Sequence, residues 1–137
     1  MLTLADIRKP VDSEIKEFQK HFKKAVTSDV ALLNIISAYL LRRKGKQIRP
    51  LFVFLTARML GKITKSTYTA ASLIELLHTA TLIHDDVVDE AYERRGFFSI
   101  NALWKSKISV LMGDYFLARG LLLSVNNKDY ELLDIVS

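Results

Sequence analysis

Residues 82–89 read Leu82-Ile83-His84-Asp85-Asp86-Val87-Val88-Asp89, with three aspartates among apolar neighbours. Residues three and four apart lie on the same side of a helix, so a helix here brings these carboxylates together. Carboxylates that lie so close repel one another, and a protein that keeps them together is expected to neutralise them with a cation. Oxygen ligands favour a hard metal ion, and the stretch therefore predicts a Mg²⁺ site formed by Asp85, Asp86 and Asp89.

Further polar residues lie in line with this acidic stretch. His78 and Thr81 precede Asp85 by seven and four residues, which places all three on one stripe of a helix with about 100° per residue. His84 points away from that stripe. The alternative interpretation is a solvated acidic helix end that pairs with surface lysines and arginines, and a lone histidine such as His78 is more often packed than functional.

Two arginines follow the aspartates. Arg94 and Arg95 come five and six residues after Asp89. A guanidinium group can donate two parallel hydrogen bonds to a phosphate, while Mg²⁺ binds the remaining phosphate oxygens. Carboxylates followed by two arginines therefore suit a diphosphate ligand.

A second group of cations lies earlier in the chain and comprises Arg42, Arg43, Lys44, Lys46 and Arg49. Lys46 and Arg49 flank a turn after Gly45 and could form a second anion site. The alternative is a helix C-terminus whose cations complement the helix dipole, with Gly45 as its left-handed cap. No aromatic residues are interleaved with the cluster, which weakens the case for a nucleic-acid partner.

The composition is that of a packed globular protein. The 137 residues are 50% hydrophobic with a formal charge of +5, and they contain 2 prolines, 5 glycines and no cysteine, which excludes disulfides and thiolate metal sites. We expect a cytoplasmic protein, because residues 1–10 do not resemble a signal peptide. The apolar run at 108–125 is interrupted by Asp114 and Arg119, which favours a buried helix over a transmembrane segment.

Apolar periodicity and capping residues predict an all-α chain. The predicted helices run from Asp12 or Ser13 to Val26, from Ser28 or Asp29 to Gly45, from Pro50 to Gly61, from Ser66 or Thr67 to about Glu90, from near Ser106 to Asn126, and from about Lys128 to Ser137. The fourth and fifth are apolar on more than one face, and the last stops within its pattern. We therefore expect residues 1–137 to be the N-terminal part of a larger helical domain.

Several motifs in a fixed order resemble those of the trans-polyprenyl diphosphate synthases. Gly45-Lys46-Gln47-Ile48-Arg49-Pro50 is similar to their GKxxRP motif, and residues 76–89 resemble their first aspartate-rich DDxxD region. The remaining matches are Arg94-Arg95-Gly96, Asn101-Ala102 and Gly113-Asp114-Tyr115. The resemblance extends from about residue 40 to about residue 120.

The resemblance implies an all-α bundle around a deep central cavity, usually in a homodimer, and a Mg²⁺-dependent condensation of isopentenyl diphosphate with an allylic diphosphate. By position, Asp85, Asp86 and Asp89 would bind Mg²⁺ on the allylic diphosphate, and Arg94 would contact that diphosphate. The residues implied for isopentenyl diphosphate are Gly45, Lys46, Arg49, His78 and Arg95. The family's second aspartate-rich motif does not occur in these 137 residues, and the isolated chain is therefore expected to be inactive.

Two small residues, Ala80 and Thr81, bear on the chain length of the product that the resemblance implies. In the family, bulky aromatics at these positions stop synthesis at short products, so small residues imply a medium- or long-chain all-trans product. Such a product would partition into a membrane and could supply a quinone side chain. The alternative is that both residues are small for helix packing, with a cavity floor formed by Leu77 or Met112.

Two other functions remain open from the residues. The His84-Asp85 doublet also occurs in HD-type metal phosphohydrolases, but that chemistry needs further ligands, and the only other histidines are His21 and His78. The second alternative is a non-catalytic helical subunit that supports a complete synthase. The intact aspartate and arginine motifs speak against a degenerate subunit.

Overall fold

The computed structural model describes residues 1–42, 46–93 and 100–137, without the side chains of residues 90–93 and 100–104. Within these residues the secondary structure is helical and contains no strand, which confirms the predicted all-α fold. The elements are α1 (Leu4–Arg8), a 3₁₀ turn (Lys9–Val11), α2 (Asp12–Val26), α3 (Ala31–Leu41), α4 (Ile48–Leu60), α5 (Lys65–Glu93), α6 (Ile100–Asn126) and α7 (Tyr130–Val136).

The N-terminal halves of the helices form a first apolar core between α2, α4 and α5. Its buried side chains are Val11, Ile15, Phe18, Leu51, Phe54 and Ala71. Phe54 is central, because its ring meets Phe18 edge-on at 6.0 Å and Tyr68 edge-on at 4.9 Å between centroids. This core fixes the start of α5 against the two helices that precede it.

A second core lies where α5 and α6 pack together, the most extensive helix contact in the described structure. Its buried residues are Val26, Leu76, Ala80, Met112 and Phe116. Because Leu76 and Ala80 lie just before the aspartates on α5, this core supports the part of the helix that carries the acidic stretch.

Side chains of α6 also bind the end of α2. The Tyr115 hydroxyl donates a hydrogen bond of 2.9 Å to the Val26 carbonyl. The Arg119 guanidinium donates to the carbonyls of Ala25 at 2.6 Å and Thr27 at 3.3 Å. These carbonyls lack partners within the helix, so α6 caps α2 as well as packing on α5.

One described segment, Lys105–Asn126, is long and apolar enough to cross a membrane by length and composition, with a mean hydropathy of 1.5. Core helices pass the same test, and Met112 and Phe116 are buried against α5. Leu111, Leu117 and Leu121 are exposed on α6. The prediction of a buried helix therefore holds for one side of α6 only.

Candidate functional site

The three aspartates lie on the exposed side of α5. Asp85, Asp86 and Asp89 are all exposed, and none forms an ion pair with a side chain in the described part of the chain. The cores that bury Leu76 and Ala80 hold the opposite side of the helix. Three acidic groups thus lie in solvent, and none has an ion-pair partner among the described side chains.

The helix continues past the position predicted for its end. α5 is described as far as Glu93 rather than about Glu90, so at least one further turn of helix follows Asp89 and at least two follow Asp85. The field of the helix dipole falls off within the last turn. The negative end of the helix dipole therefore has little influence at Asp85 and Asp86.

The aspartates do not form a closed metal site by themselves. Among the described side chains, no three His, Asp or Glu residues converge closely enough to hold a metal ion. The donors that α5 offers are carboxylate oxygens, which suit Mg²⁺, and Mg²⁺ usually takes one or two protein carboxylates and completes its shell with water and substrate oxygens. The residues present fit such an ion as one wall of a site.

His84 contacts α6 instead of sharing the acidic face. Its Nε2 lies 3.3 Å from Asp114 Oδ1 and 3.3 Å from the Val110 carbonyl oxygen. This confirms the prediction that His84 points away from the stripe of Asp85. The HD-type alternative requires His84 and Asp85 to share a metal ion, and the contacts of His84 with α6 count against it.

The other residues of the predicted stripe differ in their surroundings. His78 is half-buried, and its carbonyl accepts a hydrogen bond of 2.8 Å from the Thr81 hydroxyl. Thr81 is exposed, whereas Ala80 is buried in the second core with Met112. The packing interpretation thus gains support at Ala80, and Thr81 remains the position open to a ligand.

The second predicted anion site lies at the start of α4. Lys46 and Arg49 are exposed, and neither forms an ion pair with the described side chains. Between them Gln47 adopts a left-handed conformation, with φ 51°, and its Oε1 accepts a hydrogen bond of 2.9 Å from Gln19 Nε2. Pro50 lies in the first turn of α4, as predicted, and it is buried there. The Gln19 contact was not predicted, because it joins residues far apart in sequence.

Three predicted site residues, Gly45, Arg94 and Arg95, lie outside the described residues. Their roles in diphosphate binding stay predictions. Among the described residues, no hydrogen bond or ion pair joins Lys46 or Arg49 to the aspartates.

Comparisons with known proteins agree on one family. A sequence model of the polyprenyl synthetase family matches residues 30–137. The octaprenyl diphosphate synthase of Haemophilus influenzae is 34% identical over 137 residues, which is 100% of this chain and 42% of that protein.

Solved structures of similar enzymes superpose on the chain. A decaprenyl diphosphate synthase from Rhodobacter capsulatus matches with a TM-score of 0.81 and 31% identity, over 97% of this chain and 41% of the other. A polyprenyl synthase from Caulobacter crescentus CB15, complexed with calcium and isoprenyl diphosphate, matches with a TM-score of 0.81 and 30% identity, over 98% of this chain and 41% of the other. The chain thus spans about two fifths of the length of these relatives.

Proposed function

The chain belongs to the polyprenyl synthetase family, and we propose that it forms the N-terminal part of a prenyltransferase that condenses isopentenyl diphosphate with an allylic diphosphate. The observation that carries the proposal is the exposure of Asp85, Asp86 and Asp89. None of them forms an ion pair with a lysine or arginine that the structure describes. A divalent metal ion bound between the carboxylates would relieve their repulsion. A diphosphate bound to the same ion would supply the remaining ligand oxygens.

The aspartates would hold the allylic diphosphate through Mg²⁺. Asp85, Asp86 and Asp89 provide hard oxygen donors, and Arg94 would bind diphosphate oxygens beside them. When bound, Mg²⁺ neutralises charge on a diphosphate leaving group. The protein's part would be to hold the carboxylates in one direction, and the burial of Leu76 and Ala80 on the other side of α5 supports this as far as Ala80.

Isopentenyl diphosphate would occupy the second cationic site. Lys46 and Arg49 are exposed and free to bind its phosphates, with His78, Gly45 and Arg95 as further contacts. The Gln19–Gln47 hydrogen bond holds the turn between the two cations. Two diphosphates held side by side orient the alkene of one substrate toward the reacting carbon of the other, which supplies much of the acceleration.

The finer properties of the enzyme follow from the same proposal. A medium- or long-chain all-trans product is supported by the small, exposed Thr81 beside the aspartates. Such a product would partition into a membrane and suits the side chain of a respiratory quinone. We propose a homodimer in the cytoplasm, supported by the exposed apolar side of α6.

The test measures whether the metal and the allylic diphosphate bind together. In the whole protein, calorimetry with an unreactive allylic thiodiphosphate should show tight binding with Mg²⁺ and weak binding without it. Asp86→Asn should reduce turnover about 100-fold, because it removes a charge from the metal-binding row. Asp134→Asn makes the same charge change on the exposed side of α7 and should leave turnover unchanged. Equal analogue affinity with and without Mg²⁺ would contradict the proposed function.

A further inference from the structure

His84 approaches the backbone of α6 unusually closely at Gly113. A Cβ placed on Gly113 would lie 2.2 Å from His84 Nε2 and 2.4 Å from His84 Cδ2. Real Cβ contacts are not that short, so an alanine at this position would displace the His84 ring from where it lies. The imidazole ring therefore sits directly against the α6 backbone.

The ring is also oriented by hydrogen bonding. Nε2 lies 3.3 Å from both Asp114 Oδ1 and the Val110 carbonyl oxygen. Both partners accept hydrogen bonds, so a ring with its hydrogen on Nε2 suits this position. The ring of His84 thus contacts α6 at Gly113, Asp114 and Val110.

The contact between His84 and Gly113 lies just beyond the end of the second core on α5. Beyond Ala80, none of the described α5 side chains is fully buried, and the half-buried ones are Ile83, His84 and Val87. The rotation of this part of α5 about its own axis therefore depends on few contacts. Because His84 immediately precedes Asp85, any movement of its backbone changes the direction of the first carboxylates.

We propose that His84, seated on Gly113 and hydrogen-bonded to Asp114, is a positioning residue that sets the direction of Asp85 and Asp86 for the metal–diphosphate complex. The proposal rests on the proposed function, since it assigns the contact a role in that binding. His84 does not touch the ligand in this role and acts only through the backbone of α5. The competing explanation is that the contact merely adds stability to the α5–α6 pair.

A matched pair of glycines on α6 separates the two explanations. A Cβ on Gly120 would lie 3.2 Å from Leu73 Cδ1 and 3.4 Å from Leu76 Cβ, so Gly120→Ala disturbs the same helix pair two turns away from Gly113. Both substitutions exchange a helical glycine for alanine and alter helix propensity equally. Only Gly113→Ala displaces the residue next to the aspartates.

The experiment measures, in the whole protein, the Mg²⁺ concentration at half-saturation of an unreactive allylic thiodiphosphate, the affinity for isopentenyl diphosphate and the melting temperature. Gly113→Ala should raise the Mg²⁺ requirement about tenfold, the scale found for residues that orient metal ligands, and leave isopentenyl diphosphate affinity unchanged. Gly120→Ala should change the melting temperature alone. An equal rise in Mg²⁺ requirement in both variants would reduce the contact to packing and overturn the proposal.

A second pair of variants keeps the test decisive if Gly113→Ala fails to fold. His84→Gln retains an N–H donor near the position of Nε2, whereas His84→Leu retains apolar bulk and no donor. His84→Gln should keep a nearly unchanged Mg²⁺ requirement, and His84→Leu should raise it about tenfold. A His84→Leu variant with the original requirement would overturn the positioning role while leaving the proposed function intact. If the unchanged protein bound the analogue independently of Mg²⁺, the proposed metal site would fail, and the positioning role with it.

Discussion

Thr81 is the residue beside the aspartates whose size should matter most. It is exposed one turn before Asp85, and its hydroxyl bonds to the backbone of its own helix. In the whole protein, Thr81→Phe should shorten the prenyl product, because a ring there fills space next to the proposed metal wall. Chromatography of the products measures the effect. Thr81→Val keeps the volume and should keep the chain length, and an active Thr81→Phe enzyme with the original product would contradict the prediction.

Ala80 and Thr81 have different surroundings, and this difference cannot be predicted from the two residues alone. Ala80 and Thr81 are both small, and the sequence alone assigns them the same role. Neighbouring helix positions differ by about 100°, so only one of the two can face the ligand side directly. The choice depends on Met112 and Phe116, which bury Ala80 from the next helix. Periodicity thus predicts the stripe of aspartates, because those residues share one helix, but not contacts made across helices.

Among the helices, the cap that α6 forms on α2 should contribute measurably to stability. The Arg119 guanidinium bonds to the carbonyls of Ala25 and Thr27, and it places a cation at the negative end of α2. Arg119→Met should lower the free energy of unfolding by about 1.5–3 kcal/mol, the range for hydrogen bonds to charged groups. Tyr115→Phe should cost about 1 kcal/mol, since it removes one neutral bond to Val26. Urea denaturation compares the two, and a larger loss for Tyr115→Phe would contradict the assignment.

The ion pair between Glu14 on α2 and Arg58 on α4 should make the stability of the fold depend on pH. Burial raises the pKa of the Glu14 carboxyl, but the Ser13 hydroxyl, the Glu14 backbone N–H and the Arg58 guanidinium outweigh it, so that the pKa lies below its ordinary value of 4.5. Because the folded pKa is depressed, this stabilisation is present above pH 4.5 and is lost as pH falls below it.

The variant Glu14→Gln lacks this carboxyl. Its comparison with the unchanged protein therefore separates the contribution of Glu14 from those of the other carboxyls. The pKa of Asp6 and of Asp12 is also lowered, by Thr3 and Lys16 respectively, and both carboxyls remain in the variant. Between about pH 6 and about pH 3 the unchanged protein should therefore lose more thermal stability than Glu14→Gln. Melting curves at both pH values provide the comparison, and parallel losses would show that Glu14 does not contribute.

The ends of the helices show which local signals the sequence carries. α4 ends before Gly61, as predicted. α2 begins at Asp12 with Val11 as its N-cap and without a side-chain cap, and not with the predicted cap at Asp12 or Ser13. α1 was not predicted, although Thr3 and Asp6 form a reciprocal capping box. α6 begins at Ile100 rather than near Ser106, since a possible capping serine is also tolerated inside a helix. Among these ends, the glycine stop after α4 is predictable from the sequence, whereas the starts of α1 and α6 are not.

The molecule as a whole exposes more surface than a globular monomer of its size. Its accessible area is 9935 Å², against about 7,200 Å² for a typical folded monomer of the same mass. Part of the excess is apolar, and on α6 it includes Leu111, Leu117, Leu121, Leu122 and Val125. Apolar surface on this scale is normally covered by another part of the protein or by a second copy.

We therefore expect the 137-residue chain to associate in solution, with α6 at the contact between copies. Light scattering at micromolar concentration should give at least the mass of a dimer. Leu121→Glu should shift the distribution toward monomer, because association would desolvate an unpaired carboxylate. Leu121→Met keeps an apolar side chain of similar volume and should associate like the unchanged chain. A stable monomer of the unchanged chain would contradict the prediction, and association unaffected by Leu121→Glu would place the contact on another face, such as the exposed side of α3 with Leu32 and Ile35.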